Sequence, residues 1–271
     1  MTVLIETDFV GVDHNLTHGR ICYRRAPGTI TTSSAAAGFP AVNAGTLRTD
    51  SAWRPTALPA TWRLNCDPDE DVSYIGIAKH NLGSLNAVFS LQYASGAGDV
   101  TFPGMTDISV DNDKPILLLC NTRSVESVRI LITSADAMPT IAVISAGVAM
   151  EMPRPFVWTG QPITEGEQVA FEDTRSQTGN WLGRSVQSTG LQFSLTMQNA
   201  SEYWRKTTWQ DFKAWANGEG AAFFVAARPC YPEEVAYAWM NDTARASRGR
   251  PNKTNSTELT LNCQGLMTYE R

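Results

Sequence analysis

Tyr74-Ile75-Gly76-Ile77-Ala78-Lys79-His80-Asn81-Leu82-Gly83 is the stretch on which the reading of this chain turns. It opens as an apolar run of strand formers interrupted by small residues, and it ends in polar turn formers. Gly76 and Ala78 take little room, which suits a crowded sheet interior. His80-Asn81 supplies turn chemistry, and Gly83 permits a positive φ. A second strand follows at once in Ala87-Val88-Phe89-Ser90-Leu91-Gln92-Tyr93, so the segment reads as strand–turn–strand.

Outward from this pair the same punctuation repeats. Arg20-Ile21-Cys22-Tyr23 is a short strand in a lead-in, and Thr29 through Gly38 reads as a loop of small residues. Ala60-Thr61-Trp62-Arg63-Leu64-Asn65-Cys66 and Ser127-Val128-Arg129-Ile130-Leu131-Ile132-Thr133 alternate apolar and polar residues, as half-buried strands do. Lys114 through Cys120 and Thr140 through Met150 contain short apolar runs of buried-strand length. Pro153-Arg154-Pro155 interrupts the series, because proline cannot donate to a sheet ladder. The expected division is therefore 1–152 and 153–271. Beyond it, Phe156–Trp158, Gln168–Phe171, Ser185–Gln187, Gly190–Met197, Ala221–Ala226, Val235–Met240 and Glu258–Leu266 read as strands. Between them, Glu202 to Asn217 shifts to helical spacing with Gly218 as its stop. The fold class expected is all-β: a β-sandwich followed by a second β-rich domain with one helix.

Composition narrows the function classes. In 271 residues, 42% are hydrophobic and 18% charged, enough for a sizeable core. The net charge of −5 argues against a dedicated nucleic-acid binder. No apolar run reaches the length of a membrane span, and the acidic N-terminus lacks the pattern of a secretory signal. The five cysteines Cys22, Cys66, Cys120, Cys230 and Cys263 are widely spaced and form no C-x-x-C, so free thiols in a reducing cytoplasm are expected.

Motifs of chemistry are few. His14 and His18 have a spacing compatible with a metal only on a helix, and the neighbouring Gly and Asn make a solvated turn the stronger reading. His80 lacks a partnered nucleophile and reads as a structural turn residue bonded to backbone. The acidic segments Asp67–Asp71 and Asp107–Asp113 read as turns, with calcium as the alternative. Trp53, Trp62, Tyr74, Phe89 and Tyr93 read as core, with sugar stacking as the alternative. No catalytic residue, cofactor site or metal site is nominated, and no enzymatic activity is expected. The dense aromatic group Tyr203, Trp204, Trp209, Phe212 and Trp215 and the basic loop with Arg245, Arg248, Arg250 and Lys253 stand out. Trp204, Trp209, Trp215, Arg245, Arg248 and Arg250 are the expected subunit-interface residues, since interface cores favour Trp and rims favour Arg.

The wording of the decisive stretch carries a resemblance. IGIAKHNLG after a Trp-containing segment, with the later strand VRILIT, resembles the discoidin-like, galactose-binding-like jelly-roll sandwich at the N-terminus of many tail proteins of long-tailed bacteriophages. The similarity spans roughly residues 40–152. The segments GLQFSLTMQ, AAFFV and LTLNCQGL are similar to ring-forming proteins at the distal end of such tails. This implies a structural virion protein, made in the host bacterial cytoplasm, that links the tail tube to the tip or baseplate. Its implied partners are its own copies, in a hexameric or trimeric ring, and the tail tube and tip or hub proteins. The alternative is a carbohydrate-binding module for host surface glycan, with glycan binding by the sandwich.

Overall fold

The structure is a computed structural model describing residues 2–10, 16–96, 98–157, 162–248 and 256–266. Its first strands are β1 (Thr2–Ile5), β2 (Arg20–Cys22), β3 (Thr29–Thr32), β4 (Ala60–His80) and β5 (Val88–Ala94). Next come β6 (Asp99–Thr101), β7 (Ile116–Ser134), β8 (Ile141–Gly147), β9 (Met150–Glu151), β10 (Glu167–Arg175) and β11 (Trp181–Ser201). The last are β12 (Phe223–Ala226), β13 (Val235–Met240), β14 (Arg245–Arg248) and β15 (Ser256–Gly265). A one-turn helix α1 (Ala41–Ala44) sits between β3 and β4. The longer helix comprises α2 (Glu202–Trp204), a π-helical turn (Arg205–Trp209) and α3 (Gln210–Gly218). Ser201 caps it by accepting from the Trp204 N–H.

The all-β reading holds. β1 and β3–β8 form a 7-stranded system built on two long strands. β4 pairs antiparallel with β7 along its length, with register shifts between Asn65 and Glu70 and between Val72 and Tyr74. The shifts divide β4 into two halves with different outer neighbours, β3 beside the first and β8 beside the second. The acidic segment Asp67–Asp71 therefore lies within a continuous strand at its exposed corner, where polar side chains cost nothing. Thr29–Thr32, expected in a loop, is a strand against β4. Trp53, Trp62, Leu91, Phe89, Ile130 and Ile132 fill the sandwich interior and are fully or almost fully buried.

The second sheet has 8 strands in the order β10-β11-β15-β13-β12-β2-β9, with β14 also on β15. It borrows from the first 152 residues: β2 pairs with β12, and β9 pairs with β2. A shared apolar layer joins the two sheets, with Tyr74, Leu117, Leu119 and Val143 on one side and Phe224, Val235 and Tyr237 on the other.

That layer explains the decisive stretch. A Cβ on Gly76 would stand 2.5 Å from the Phe224 ring, so the glycine is set by the second sheet pressing on the first. The turn that follows differs from expectation in one respect. The left-handed residues around it are Lys79, at φ 51, and Asn86, at φ 47, and Gly83 is not among the positive-φ glycines. Gly83 is needed for space instead: its Cβ would lie 2.4 Å from the Asn112 backbone.

Candidate interaction surface

The sequence-nominated polar groups do structural work. His80 is 4% exposed. Its Nδ1 accepts from the Leu82 N–H at 3.2 Å, and its Nε2 donates to the Lys114 carbonyl at 2.8 Å. Burial lowers its pKa from 6.5 to about 4, so the ring is neutral. Asp113 accepts from the Ser84 N–H and Asn112 from the Lys114 N–H, which ties the 107–113 segment to the His80 turn. His18 lies 3.7 Å from Glu151, which also pairs with Arg20 at 3.0 Å; His14 is outside the described residues. Among the described residues no group of three or more His, Cys, Asp or Glu side chains is gathered for a metal ion. The cysteines described are free thiols. Burial raises the pKa values of Cys120 and Cys263 to about 12, which keeps them unreactive. Trp53, Trp62, Tyr74 and Phe89 are core residues, and Tyr93 stacks on Phe102 at 4.7 Å.

The expected interface residues divide. Trp209 is fully buried in its own chain, 5.1 Å from Phe212 between ring centroids, so it presents no surface to a neighbour. The physical reason is that the helix uses this tryptophan to cover its own sheet. Trp204 and Trp215 flank that core and stay half-buried. Arg245 is exposed on β14. The expected loop from Ala244 is in fact this strand, and backbone pairing of Arg248 with Thr257 ends its ladder. Arg250 and Lys253 lie outside the described residues.

The larger exposed feature is one the sequence reading passed over. β10 and the first part of β11 form a long hairpin closed at Ser176–Asn180, where the Ser176 N–H donates to the Asn180 carbonyl at 2.8 Å and Gly179 takes φ 85. From Leu191 onward β11 pairs with β15 and buries Leu191, Phe193, Leu195 and Met197. Before Leu191 it leaves the body with only β10 as partner. We call this part the arm. Directly opposed residues share a face of a sheet. Val169 faces Thr189, Phe171 faces Val186, Asp173 faces Arg184 and Arg175 faces Trp181. The register shift at Ala170/Phe171 skips Gln187, which returns Val186 to the face of Leu191. The core face of the sheet thus continues out along the arm after the body has ended.

That face is uncovered. Trp181 is 64% exposed, Val186 58% and Phe171 51%, and Leu182, left unpaired by the second register shift at Thr174/Arg175, is 63% exposed beside them. Scattered exposed apolar residues are ordinary, but four on one projecting hairpin are a patch. Arg184 stiffens it, pairing with Asp173 at 2.7 Å and lying 4.5 Å from the Phe171 ring centroid. The signal was present in the sequence: a turn, SQTGN, between two runs each holding an aromatic and an aliphatic residue. It passed as ordinary core alternation because pattern alone does not say whether a covering layer exists.

Elsewhere on the chain, two adjoining clefts of about 340 and 700 Å³ run beside β2 and β9. They share Tyr23, Arg24 and Val148. Met150, Pro153, Trp204 and Thr208 line the smaller, and Trp215, Arg25 and the corner carboxylates Asp69, Glu70 and Asp71 line the larger. Arg24 is held over this groove by Asp211 at 2.5 Å and by the Tyr23 hydroxyl at 3.0 Å.

This arrangement defines the class: a β-sandwich joined to a second β-sheet that carries one longer helix. No protein-family model and no curated protein sequence matches the chain. Solved structures similar to part of it include a pectin-binding carbohydrate-binding module, at 15% identity, covering 48% of this chain and 96% of that one with a TM-score of 0.41. Another is the family 32 carbohydrate-binding module of Clostridium perfringens NanJ in complex with galactose, at 16% identity, 44% and 91% coverage and a TM-score of 0.38. A third is SpGH29, at 17% identity and a TM-score of 0.39, where 46% of this chain spans only 28% of that one. Each concerns the fold alone.

Proposed function

We propose that the chain is a structural subunit of a bacteriophage tail, of the distal ring kind that links the tail tube to the tip or baseplate. The observation that carries this reading is the arm, whose apolar face extends the chain's own core into solvent. A free-standing binding module has no use for such a face, whereas a subunit of an assembly buries it on its neighbour. The sequence resemblance to tail proteins supplies the kind of assembly. The work of the molecule is then assembly, with no chemical turnover. Deleting its gene from a phage that encodes it is expected to leave capsids and tails unable to form a complete tip. Normal, infectious tails from the deletion strain would remove this reading.

Glycan binding by the sandwich is the second reading. It draws on the discoidin-like fold and on Phe39, an aromatic exposed ahead of α1. Against it, four of the five aromatics nominated for stacking are core residues. A glycan array probed with the purified chain separates the two: saturable binding lost in Phe39→Ala favours this second reading.

A further inference from the structure

Where the arm leaves the second sheet, β10, β11, β13 and β15 enclose a recess of about 550 Å³. Its construction follows from strand register, because directly opposed residues share a face of a sheet. Gln192 on β11 opposes Gln264 on β15, and Gln264 opposes Trp239 on β13. Two amides and one indole thus form a row across three strands. Gly190 lies two positions before Gln192, on the same face, and opposes Gln168 on β10. A Cβ on Gly190 would meet nothing within 4 Å, so the missing side chain leaves an open floor. Trp239 is half-buried and the three glutamines are exposed. Among the described residues, none of the three side-chain amides has a protein hydrogen-bond partner.

The lining holds no ionisable side chain. An anion or a cation finds no countercharge here, which disfavours phosphates and nucleic acid. A peptide strand has no edge to extend, because β11, β15 and β13 each have a partner on both sides. An apolar protein surface laid over the recess would strip water from three amides without replacing their hydrogen bonds. The ligand that fits is neutral, with a flat apolar face and a rim of groups that both donate and accept. A primary amide carries two donors and an acceptor, which matches neighbouring hydroxyls, and an indole offers a broad face to the C–H side of a pyranose. The volume falls in the range of ligand pockets, roughly 300–1,000 Å³. We infer that this recess binds a neutral saccharide, with Trp239 against the sugar ring and Gln168, Gln192 and Gln264 on its hydroxyls. The site is separate from Phe39 on the sandwich, and it does not depend on the assembly role.

The test places the full-length chain on an array of neutral oligosaccharides, with sulfated and uronic oligosaccharides beside them. Titration calorimetry follows with the strongest neutral hit. Saturable binding to a neutral saccharide is expected. Gly190→Val fills the floor at a strand position where its Cβ meets no neighbour. This variant is expected to stay folded by circular dichroism while binding falls at least about 10-fold. Gln192→Ala with Gln264→Ala, both at exposed positions, is expected to weaken binding about 10-fold through two lost hydrogen bonds. Phe39→Ala is expected to leave binding unchanged. Four results overturn the proposal. They are no saturable binding of any neutral saccharide at about 10 mM, a preference for the anionic saccharides, a folded Gly190→Val chain that binds like wild type, and loss of binding in Phe39→Ala alone. The last of these transfers the glycan to the sandwich. The tail assignment fails separately, through absence of the chain from purified phage particles, and none of these four results bears on it.

Discussion

At the residue scale, buried polar groups hold the sandwich together and set how it responds to pH. An unfolded imidazole takes up a proton near pH 6.5, whereas folded His80 does so only near pH 4. Between those values the unfolded state binds more protons. Stability is therefore full above about pH 6.5 and falls as pH drops toward 4, by on the order of 3 kcal/mol from this group. His80→Gln keeps a donor and an acceptor and does not titrate. Urea midpoints measured from pH 7 to 4 should lose about one proton's worth of slope in this variant; an unchanged slope would place the acid sensitivity elsewhere. Glu6 makes a comparable anchor. It is 1% exposed, accepts from the Asn121 N–H at 2.7 Å and pairs with Arg123, whose guanidinium lies over Tyr93 and Phe102. Glu6→Ala leaves the partly buried Arg123 unpaired and should cost about 3 kcal/mol, the low end for breaking a buried pair. A chemical-denaturation loss below about 1 kcal/mol would show that β1 is not held by this contact.

At the element scale, the strands of the sandwich were legible for two reasons: Ala60–Cys66 and Ser127–Thr133 are half-buried and keep period-two alternation, whereas Tyr74–Ala78, Ile116–Cys120 and Ile141–Gly147 are buried on both faces and read as short apolar runs. The helix was legible for the matching reason, its aromatic spacing. Strand continuity was less so. Asp67–Asp71 looked like a loop between two strands, because a polar exposed corner of a bent strand and a true loop have the same composition. β2 could not be assigned to the second sheet at all, since its partner β12 is some two hundred positions away. Trp209 and Trp204 looked equivalent although only one is fully buried, because a crowded aromatic helix does not reveal which rings its own sheet covers. Gly76 illustrates a half-correct reading: its small size matters, but for Phe224. Gly76→Val should cost about 1–3 kcal/mol through overpacking. Combining it with Phe224→Ala should cost clearly less than the sum of the two single changes. Strict additivity in a denaturation cycle would mean that the two residues do not meet.

At the scale of the whole molecule, the two sheets are bound by more than the linker at Pro153. β2 and β9 extend the second sheet, and the shared layer around Tyr74 and Phe224 has walls from both. Residues 1–152 and 153–271 expressed as separate chains in one cell should copurify as a complex. Isolation of 1–152 as a monomer with its own cooperative transition would contradict this. On the proposed reading, the exposed apolar face of the arm is what a neighbouring tail subunit covers. The most direct measurement is the position of the chain in a virion. Purified long-tailed particles of a phage that encodes it, labelled with gold-conjugated antibody to residues 1–152 and viewed by electron microscopy, should carry label at the end of the tail away from the capsid. Particles that are intact, infectious and free of the chain by both labelling and mass spectrometry would contradict the account.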